Sequence, residues 1–293
     1  MRTRVISSLA GAPLLLGAVL WPGGGWLFIG WPFAVLVLAM VVVGLREFYD
    51  GCRAAGRFPL EALGIAAGVL LWAAATPFMP ENDPRPLYFG ITVLLMVSLS
   101  AEALRPTHRA PLQNLAPTWL GALYVGWLFA MVLRLRLADV LGTTQLGWQP
   151  PYPWMAASGA GAMLLLFSIL CTVAVDTGAY FVGKSIGKRK LAPTLSPGKT
   201  VEGAVGGLAA AVILALLLAP VLGLPVAFCA TAGVLIGIVA QLGDLSKSAI
   251  KREIGIKDFG TLIPGHGGVL DRFDSHLFTA PAVYWLLVFW RTS

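Results

Sequence analysis

Long apolar segments limit what this sequence can fold into more than any other feature. A helix needs about 20 apolar residues to cross the hydrocarbon core of a bilayer, so each segment of that length is a candidate transmembrane span. The chain is 57% apolar and only 12% charged, whereas soluble domains are about 25% charged. We therefore predict an all-α fold, a polytopic integral membrane protein with about nine transmembrane helices, at 5–21, 26–45, 59–76, 87–104, 116–134, 156–180, 203–221, 226–243 and 273–290.

The distribution of positive charge predicts how these helices are oriented. Lys and Arg are enriched in the cytoplasmic loops of membrane proteins. With a cytoplasmic N-terminus, every Lys and Arg falls on the cytoplasmic side except Arg85, Arg134, Arg136 and Arg291. This orientation puts the charged connections 181–202 and 244–272 in the cytoplasm. It also accounts for the net charge of +7, so nucleic acid is not an expected partner.

The two halves of the chain differ in where their ionisable residues fall. The first five predicted spans carry few polar groups. We interpret 1–155 as an N-terminal transmembrane scaffold of about five helices, with a surface that could form a homodimer. The chemically active groups concentrate after it, so we predict that 156–293 is a C-terminal catalytic transmembrane region with cytoplasmic active-site loops.

The stretch 248–274 collects the densest group of ionisable residues, between two apolar segments. Removing charged groups from water is costly unless they are paired or bind ions, so this cluster indicates a functional site. Asp244, which precedes this stretch, would share one face of a helix with Ser248 and Lys251. The glycines and proline of 260–268 exclude a continuous helix there and indicate backbone that approaches a ligand closely.

Several carboxylates follow patterns that favour a metal site. Asp271 and Asp274 are spaced i, i+3, so a new helix after the glycines would point both in the same direction. Asp176 ends a long apolar segment, and on a continuing helix it would share a face with Tyr180 and Lys184. Carboxylates beside cationic residues fit Mg²⁺, which binds carboxylate, water and phosphate oxygens.

Two short motifs bear on phosphate binding. Residues 178–185 match the P-loop pattern, but they follow a membrane helix rather than a buried strand, so we do not interpret them as a nucleotide site. Residues 195–203 place Lys199 and free backbone amides before a helix, which favours a phosphate site. An ordinary helix start with Thr200 as its N-cap explains the same residues equally well.

The stretch 248–274 resembles the signature of the phosphatidate cytidylyltransferases, also called CDP-diacylglycerol synthases. The matching positions are Ser248, Lys251-Arg252, Lys257-Asp258, Gly260, Pro264, His266-Gly267-Gly268, Asp271-Arg272 and Asp274. Similar residues upstream are Asp176-Thr177-Gly178-Ala179-Tyr180, Ser196-Pro197, Lys199-Thr200, Glu202-Gly203 and Gly243-Asp244. The resemblance is strong over about 170–275, and earlier residues match mainly as a hydrophobic multi-span region.

This resemblance implies a nucleotidyltransferase of phospholipid biosynthesis. Such an enzyme transfers CMP from CTP to phosphatidic acid, giving CDP-diacylglycerol and pyrophosphate. The lipid phosphate is already an anion, so it would attack the α-phosphorus of CTP without a protein nucleophile. The expected site faces the cytoplasm at a prokaryotic inner membrane, where the acyl chains stay among membrane lipids. A cytidylyltransferase for another lipid acceptor and a membrane transporter are the alternatives.

The resemblance also implies roles for individual residues. The predicted metal is Mg²⁺, with a second metal ion as an alternative. Its predicted ligands are Asp244, Asp271, Asp274 and Asp176. The predicted catalytic residues are Asp244, Asp271, Lys251, Arg252 and His266. The predicted substrate-binding residues are Lys199, Ser196, Thr200, Ser248, Lys257, Gly267, Gly268 and Arg272.

Overall fold

A computed structural model describes residues 13–22, 30–79, 83–107, 110–139, 146, 148–260 and 267–290, and helices dominate it. The first helices are α1 (13–20), α2 (Trp31–Ala54), α3 (Glu61–Ala74) and α4 (Arg85–Ala103). A continuous helical segment follows, made of α5 (Pro111–Gly121), a π-helical segment (Ala122–Trp127) and α6 (Leu128–Arg136).

The rest of the chain is also helical except for one small hairpin. Its elements are α7 (Pro153–Ser158), α8 (Ala160–Ile186), β1 (Lys190–Ala192), β2 (Ser196–Thr200), α9 (Val201–Leu222), α10 (Val226–Ile254), α11 (Val269–Phe273) and α12 (His276–Phe289). The turn between α9 and α10 contains a glycine and a proline. Gly223 ends α9 there with a φ of 68°, a left-handed conformation that glycine adopts without strain.

The structure confirms a helical membrane protein but not the predicted count of nine spans. Six helical segments in the described part of the chain are long and apolar enough to cross a membrane. Predicted spans 59–76 and 273–290 correspond to α3 and α12, which have 14 residues each. A helix of that length rises about 21 Å, less than the hydrocarbon core of about 30 Å. The predicted spans were longer than these helices, because hydropathy counts apolar residues whether or not they are helical. Residues 5–12 of predicted span 5–21 lie outside the described residues.

Two helices continue beyond the ends that hydropathy predicted. α8 reaches Ile186 instead of residue 180, and α10 reaches Ile254 instead of residue 243. The added turns contain Lys, Ser, Arg and Ala, which are acceptable in helices although they are not all apolar. Residues 178–185 therefore lie inside α8, which excludes a P-loop at that position.

The chain forms two compact units, each built from separated parts of the sequence. The first contains Met1–Ala18, Trp31–Leu133 and Glu253–Phe273, and the second contains Val19–Gly30, Arg134–Arg252 and Asp274–Ser293. The predicted signature thus contributes residues to both units. The functional division predicted at residue 155 stays a prediction.

Close helix packing in the first unit depends on glycines. The Tyr49 ring of α2 lies against Gly64 of α3 and Gly121 of α5, and its hydroxyl donates to a backbone carbonyl of α5 at 2.8 Å. Gly68 of α3 meets Gly126 of the π-helical segment, where a Cβ on Gly126 would lie 2.8 Å from the Cα of Gly68. Small residues allow helix backbones to approach this closely inside a membrane.

The second unit uses the same kind of packing around α8. A Cβ on Gly178 of α8 would lie 2.9 Å from the carbonyl oxygen of Gly206 in α9. On α12, the hydroxyl of Thr279 accepts a hydrogen bond from Thr172 of α8 at 2.9 Å. The close contact of α8 with α9 brings the end of α8 beside the start of α9, where the hairpin connects them.

We expect Gly126→Ala to destabilise the protein by about 1–3 kcal/mol, because the new methyl group would push α3 away from the π-helical segment. Thermal unfolding of the purified protein in detergent measures this effect. Gly17→Ala is the control, since nothing lies within 4 Å of a Cβ on this helical glycine. It should leave Tm unchanged or raise it slightly. Equal Tm values for wild type and Gly126→Ala would contradict the close packing.

Candidate functional site

The hairpin of β1 and β2 positions Lys199 within the second unit. The strands are antiparallel, with Lys190 opposite Thr200. Thr200 is also the N-cap of α9, because its hydroxyl accepts a hydrogen bond from the Gly203 amide at 3.1 Å. The helix-cap interpretation of this segment is therefore confirmed, and the side chain of Lys199 lies half-buried just before the cap.

A cavity of about 330 Å³ lies beside the hairpin. Its walls come from α8, the hairpin, α9 and α10. Asp176, Tyr180 and Lys184 line it from one face of α8, as the sequence predicted, and Lys199 and Gln241 line it from the other elements. Lys184 donates a hydrogen bond to the Tyr180 hydroxyl at 3.4 Å. A space of this size with two lysines in its lining has the chemistry to bind an anionic ligand.

Four charged residues beside this cavity form a connected set, the lysine–aspartate group (Lys199, Asp244, Lys247 and Asp274). Nζ of Lys199 lies 2.5 Å from Oδ2 of Asp244. Lys247, one turn further along α10, lies 3.5 Å from Oδ1 of Asp244 and also forms an ion pair with Asp274. Lys247 and Asp274 are each only 8% exposed. Lys247 therefore connects two carboxylates in a buried position.

A third carboxylate, Asp176, lies near this group. The Asp244 and Asp274 side chains lie within hydrogen-bonding reach of each other, and the charges of both act on Asp176. Carboxylates this close repel unless a proton or a cation lies between them. The two lysines balance the two aspartates of the group, and Asp176 adds a third carboxylate that favours a proton or a further cation.

The donor chemistry of the group fits Mg²⁺. Among the residues that the structure describes, no three His, Cys, Asp or Glu side chains are grouped closely enough to ligate one ion. Mg²⁺ is commonly held by one or two carboxylates, while substrate phosphates and water fill its other positions. The Asp244 and Asp274 pair supplies two such carboxylates, so these residues suit the predicted metal.

Asp271 belongs to the first unit, where it organises backbone of the signature. Its Oδ2 accepts hydrogen bonds from the amides of Phe259 and Gly268, at 2.8 and 3.2 Å. Gly267 has a φ of 83°, and a Cβ on it would lie 3.0 Å from the Asp271 carboxylate. The backbone at these glycines thus lies close to a side chain of the protein itself, and the predicted approach to a ligand stays a prediction.

The helix predicted after the glycines is α11, but it is short. Asp271 lies inside it, whereas Asp274 follows its end. The two carboxylates have different partners, since Asp271 binds backbone amides and Asp274 binds Lys247.

The other predicted site residues lie on the hairpin, at the end of α10 and in the first unit. Ser196 and Thr200 are in β2, and Ser248, Lys251 and Arg252 are in the last turns of α10, where Arg252 is exposed. Lys257 and Arg272 are exposed residues of the first unit. His266 lies outside the described residues. The structure thus brings together Asp176, Lys199, Asp244 and Asp274.

Sequence reasoning missed Lys247 and Glu47. Lys247 carried a signal, because it lies three residues after Asp244 on the same helical face. Glu47 lies inside the apolar helix α2, and an ionisable residue in such a place is a functional candidate. Its carboxylate accepts hydrogen bonds from the amides of Val269 and Leu270, at 3.0 and 3.1 Å. The interpretation of the first five spans as a weakly polar scaffold overlooked this contact.

We expect Lys247→Met to lower the free energy of unfolding by about 3–5 kcal/mol, because it leaves the Asp244 and Asp274 carboxylates without their shared cation. Thermal unfolding in detergent measures the loss. Arg57→Met is the matched control, since Arg57 and Glu253 form a more exposed ion pair at 2.5 Å whose loss should cost less than about 1 kcal/mol. Equal losses in the two variants would mean that Lys247 is not a buried counter-charge.

This chain is similar to known proteins along nearly its whole length. A phosphatidate cytidylyltransferase of Synechocystis sp. is 33% identical over 295 residues, which are 97% of this chain and 96% of that protein. A phosphatidate cytidylyltransferase of Bacillus subtilis is 34% identical over 263 residues, 87% of this chain and 88% of the relative. A chloroplastic phosphatidate cytidylyltransferase of Arabidopsis thaliana is 34% identical over 284 residues, 92% and 69% of the two chains.

The family assignment follows from the extent of the match. The model of the cytidylyltransferase family matches residues 2–290, which include both compact units and all the residues of the lysine–aspartate group. With full-length relatives above 30% identity, chance similarity of apolar segments does not explain the match. The chain belongs to the cytidylyltransferase family.

Proposed function

We propose that this membrane protein is an enzyme that transfers CMP from CTP to phosphatidic acid, giving CDP-diacylglycerol and pyrophosphate. An oxygen of the lipid phosphate forms a bond to the α-phosphorus of CTP, and the bond between that phosphorus and the departing pyrophosphate breaks. The relatives from Synechocystis sp. and Bacillus subtilis are named for this reaction, and their sequences align with 97% and 87% of this chain. Their names therefore support the proposal.

One observation carries the proposal, the cavity of the second unit beside the lysine–aspartate group. Lys199 belongs to both, since it lines the cavity and pairs with Asp244. An ammonium group has three N–H donors, and the Asp244 pair uses one of them. Lys199 can therefore hold a phosphate oxygen in the cavity while it keeps its place beside the carboxylate.

The obstacle in this reaction is the approach of two anionic reactants. The cations of Lys184 and Lys199 reduce the repulsion between these anions, because both side chains lie in the cavity wall before any substrate binds. Cations fixed in this way orient both phosphates without a reorganisation cost during the reaction. Lys251, Arg252, Lys257 and Arg272 are further proposed phosphate contacts.

Asp244 and Asp274 are the proposed ligands of Mg²⁺, which when bound supplies positive charge to the triphosphate and its pyrophosphate leaving group. Lys247 holds the two carboxylates together and favours their ionised form. Asp176, which lines the same cavity, and a second ion belong to the same proposal. Asp271 binds backbone amides of the first unit, and its predicted metal role stays a prediction. His266 and the Gly267 amide are proposed substrate contacts, whereas the amide of Gly268 already donates to Asp271.

The proposed placement is a prokaryotic inner membrane with the active site facing the cytoplasm. The bias of Lys and Arg supports this orientation, and CTP arrives from the same side. A homodimer is also proposed. Only 11% of the apolar stretch of α4 is buried within the protein. This helix therefore has a large apolar surface that can contact lipid or a second copy of the chain.

We expect the purified wild type in detergent to form CDP-diacylglycerol from CTP and phosphatidic acid. Lys199→Met should lower kcat/KM at least about tenfold, because it removes a charged donor from the cavity. Lys190→Met is the matched control, since this lysine lies in the same hairpin but not in the cavity lining. It should keep the wild-type rate. Product from another lipid phosphate, and none from phosphatidic acid, would contradict the proposed acceptor.

A titration with Mg²⁺ tests the metal proposal separately. We expect Asp244→Asn to raise the Mg²⁺ concentration for half-maximal activity at least about tenfold, because one of two proposed carboxylate ligands becomes neutral. Asp83→Asn changes a carboxylate that pairs with the exposed Arg85, and its titration should match the wild type. An unchanged midpoint in Asp244→Asn would remove this residue from the metal site.

A further inference from the structure

One face of α2 receives the segment that follows α10 in the first unit. Phe48 stacks on Phe259, with ring centroids 6.0 Å apart and the rings 27° from parallel. Gly44 leaves room for Leu270, since a Cβ there would lie 3.2 Å from the Leu270 side chain. Gly44 and Phe48 are four residues apart, so both belong to the same helical face. This face of α2 is therefore the surface against which the first-unit part of the signature packs.

Glu47 provides the charged contact of this surface. Its side chain is only 8% exposed. Oε1 accepts a hydrogen bond from the Val269 amide at 3.0 Å, and Oε2 accepts one from the Leu270 amide at 3.1 Å. These are the first amides of α11, which have no carbonyl partner within that helix. The carboxylate and the two amides thus satisfy one another away from water.

Two glycines close on the same carboxylate. A Cβ on Gly260 would lie 2.5 Å from Oε1 of Glu47, and a Cβ on Gly268 would overlap the carboxylate as well. Both distances are shorter than real Cβ contacts allow. A larger residue at either position would therefore displace the backbone or the Glu47 side chain. The lack of a side chain at both positions lets the backbone close around Glu47.

A local cap would satisfy the amides of α11 equally well, since Ser, Thr, Asn or Asp at the N-cap does so in many helices. Gly268, which precedes α11, has no side chain for this purpose. A carboxylate supplied by α2 does more than a cap, because it also fixes where α11 lies. Asp271 is mounted on α11 and holds the amides of Phe259 and Gly268 in turn.

We propose that Glu47 is a positioning residue for the transfer reaction. By binding the amides of Val269 and Leu270, it holds α11 so that Asp271 and Arg272 are correctly placed, and it does not itself touch a substrate. This inference rests on the proposed function, and it adds a residue from the first part of the chain to the machinery of the signature.

The test compares Glu47→Gln with Glu102→Gln in the full-length protein in detergent. A glutamine can accept a hydrogen bond from one amide, but its own NH₂ group then faces the other N–H. We expect kcat to fall at least about tenfold while KM for CTP changes less than about threefold. Hydrogen–deuterium exchange at the amides of 268–271 should become faster, and this readout needs no activity.

Glu102 is the matched control because it is also a buried glutamate of the first unit, 3% exposed, and its partners Arg105 and Asn114 lie outside α11. Glu102→Gln should lower Tm but keep the wild-type kcat and the wild-type exchange at 268–271. If Glu47→Gln lowers Tm as Glu102→Gln does but leaves kcat unchanged, Glu47 has a structural role alone, and the inference is overturned. Unchanged exchange at 268–271 in Glu47→Gln would also overturn it. A wild type without CTP-dependent product contradicts the proposed function instead, and the exchange experiment still decides whether Glu47 holds α11.

Discussion

Compensation of buried carboxylates is the physical constraint on which this structure depends. A carboxylate removed from water needs an opposite charge or hydrogen-bond donors, and the apolar helices provide neither by themselves. The two units solve this problem in different ways. In the second unit Lys247 connects Asp244 and Asp274, whereas in the first unit Glu47 binds two backbone amides of α11. Each solution includes a partner that is distant in the sequence, Asp274 for Lys247 and the amides of α11 for Glu47, and both involve residues of the signature.

The signature is continuous in sequence but serves two compact units. Glu253–Phe273 belongs to the first unit, and the residues on both sides of it belong to the second. Asp271 therefore has backbone amides of the first unit as partners, while Asp274 has a lysine of the second. Short covalent connections join the two groups, so the backbone held by Glu47 and the lysine–aspartate group are linked through a few residues of chain.

Much of the site could be predicted because its spacing is local. The shared face of Asp176, Tyr180 and Lys184 follows from helical periodicity, and α8 continues far enough to include all three. Thr200 as a helix cap follows from its place before an apolar helix. The predicted count of nine spans is not confirmed, because two of the apolar segments form helices of only 14 residues. Composition records how apolar a segment is, but not where its hydrogen-bonded helix begins and ends.

By itself, the sequence determined the class of protein, the family resemblance and the residues that carry charge beside the membrane. These properties depend on composition, on periodicity within one helix and on short spacings, all of which are local. Only the tertiary structure decided which of these charges meet. Lys199 and Asp244 come from different elements, and Glu47 reaches α11 from a helix near the other end of the chain. Such pairings depend on how helices pack, and packing is settled by shape and by the cost of a buried charge summed over the whole fold.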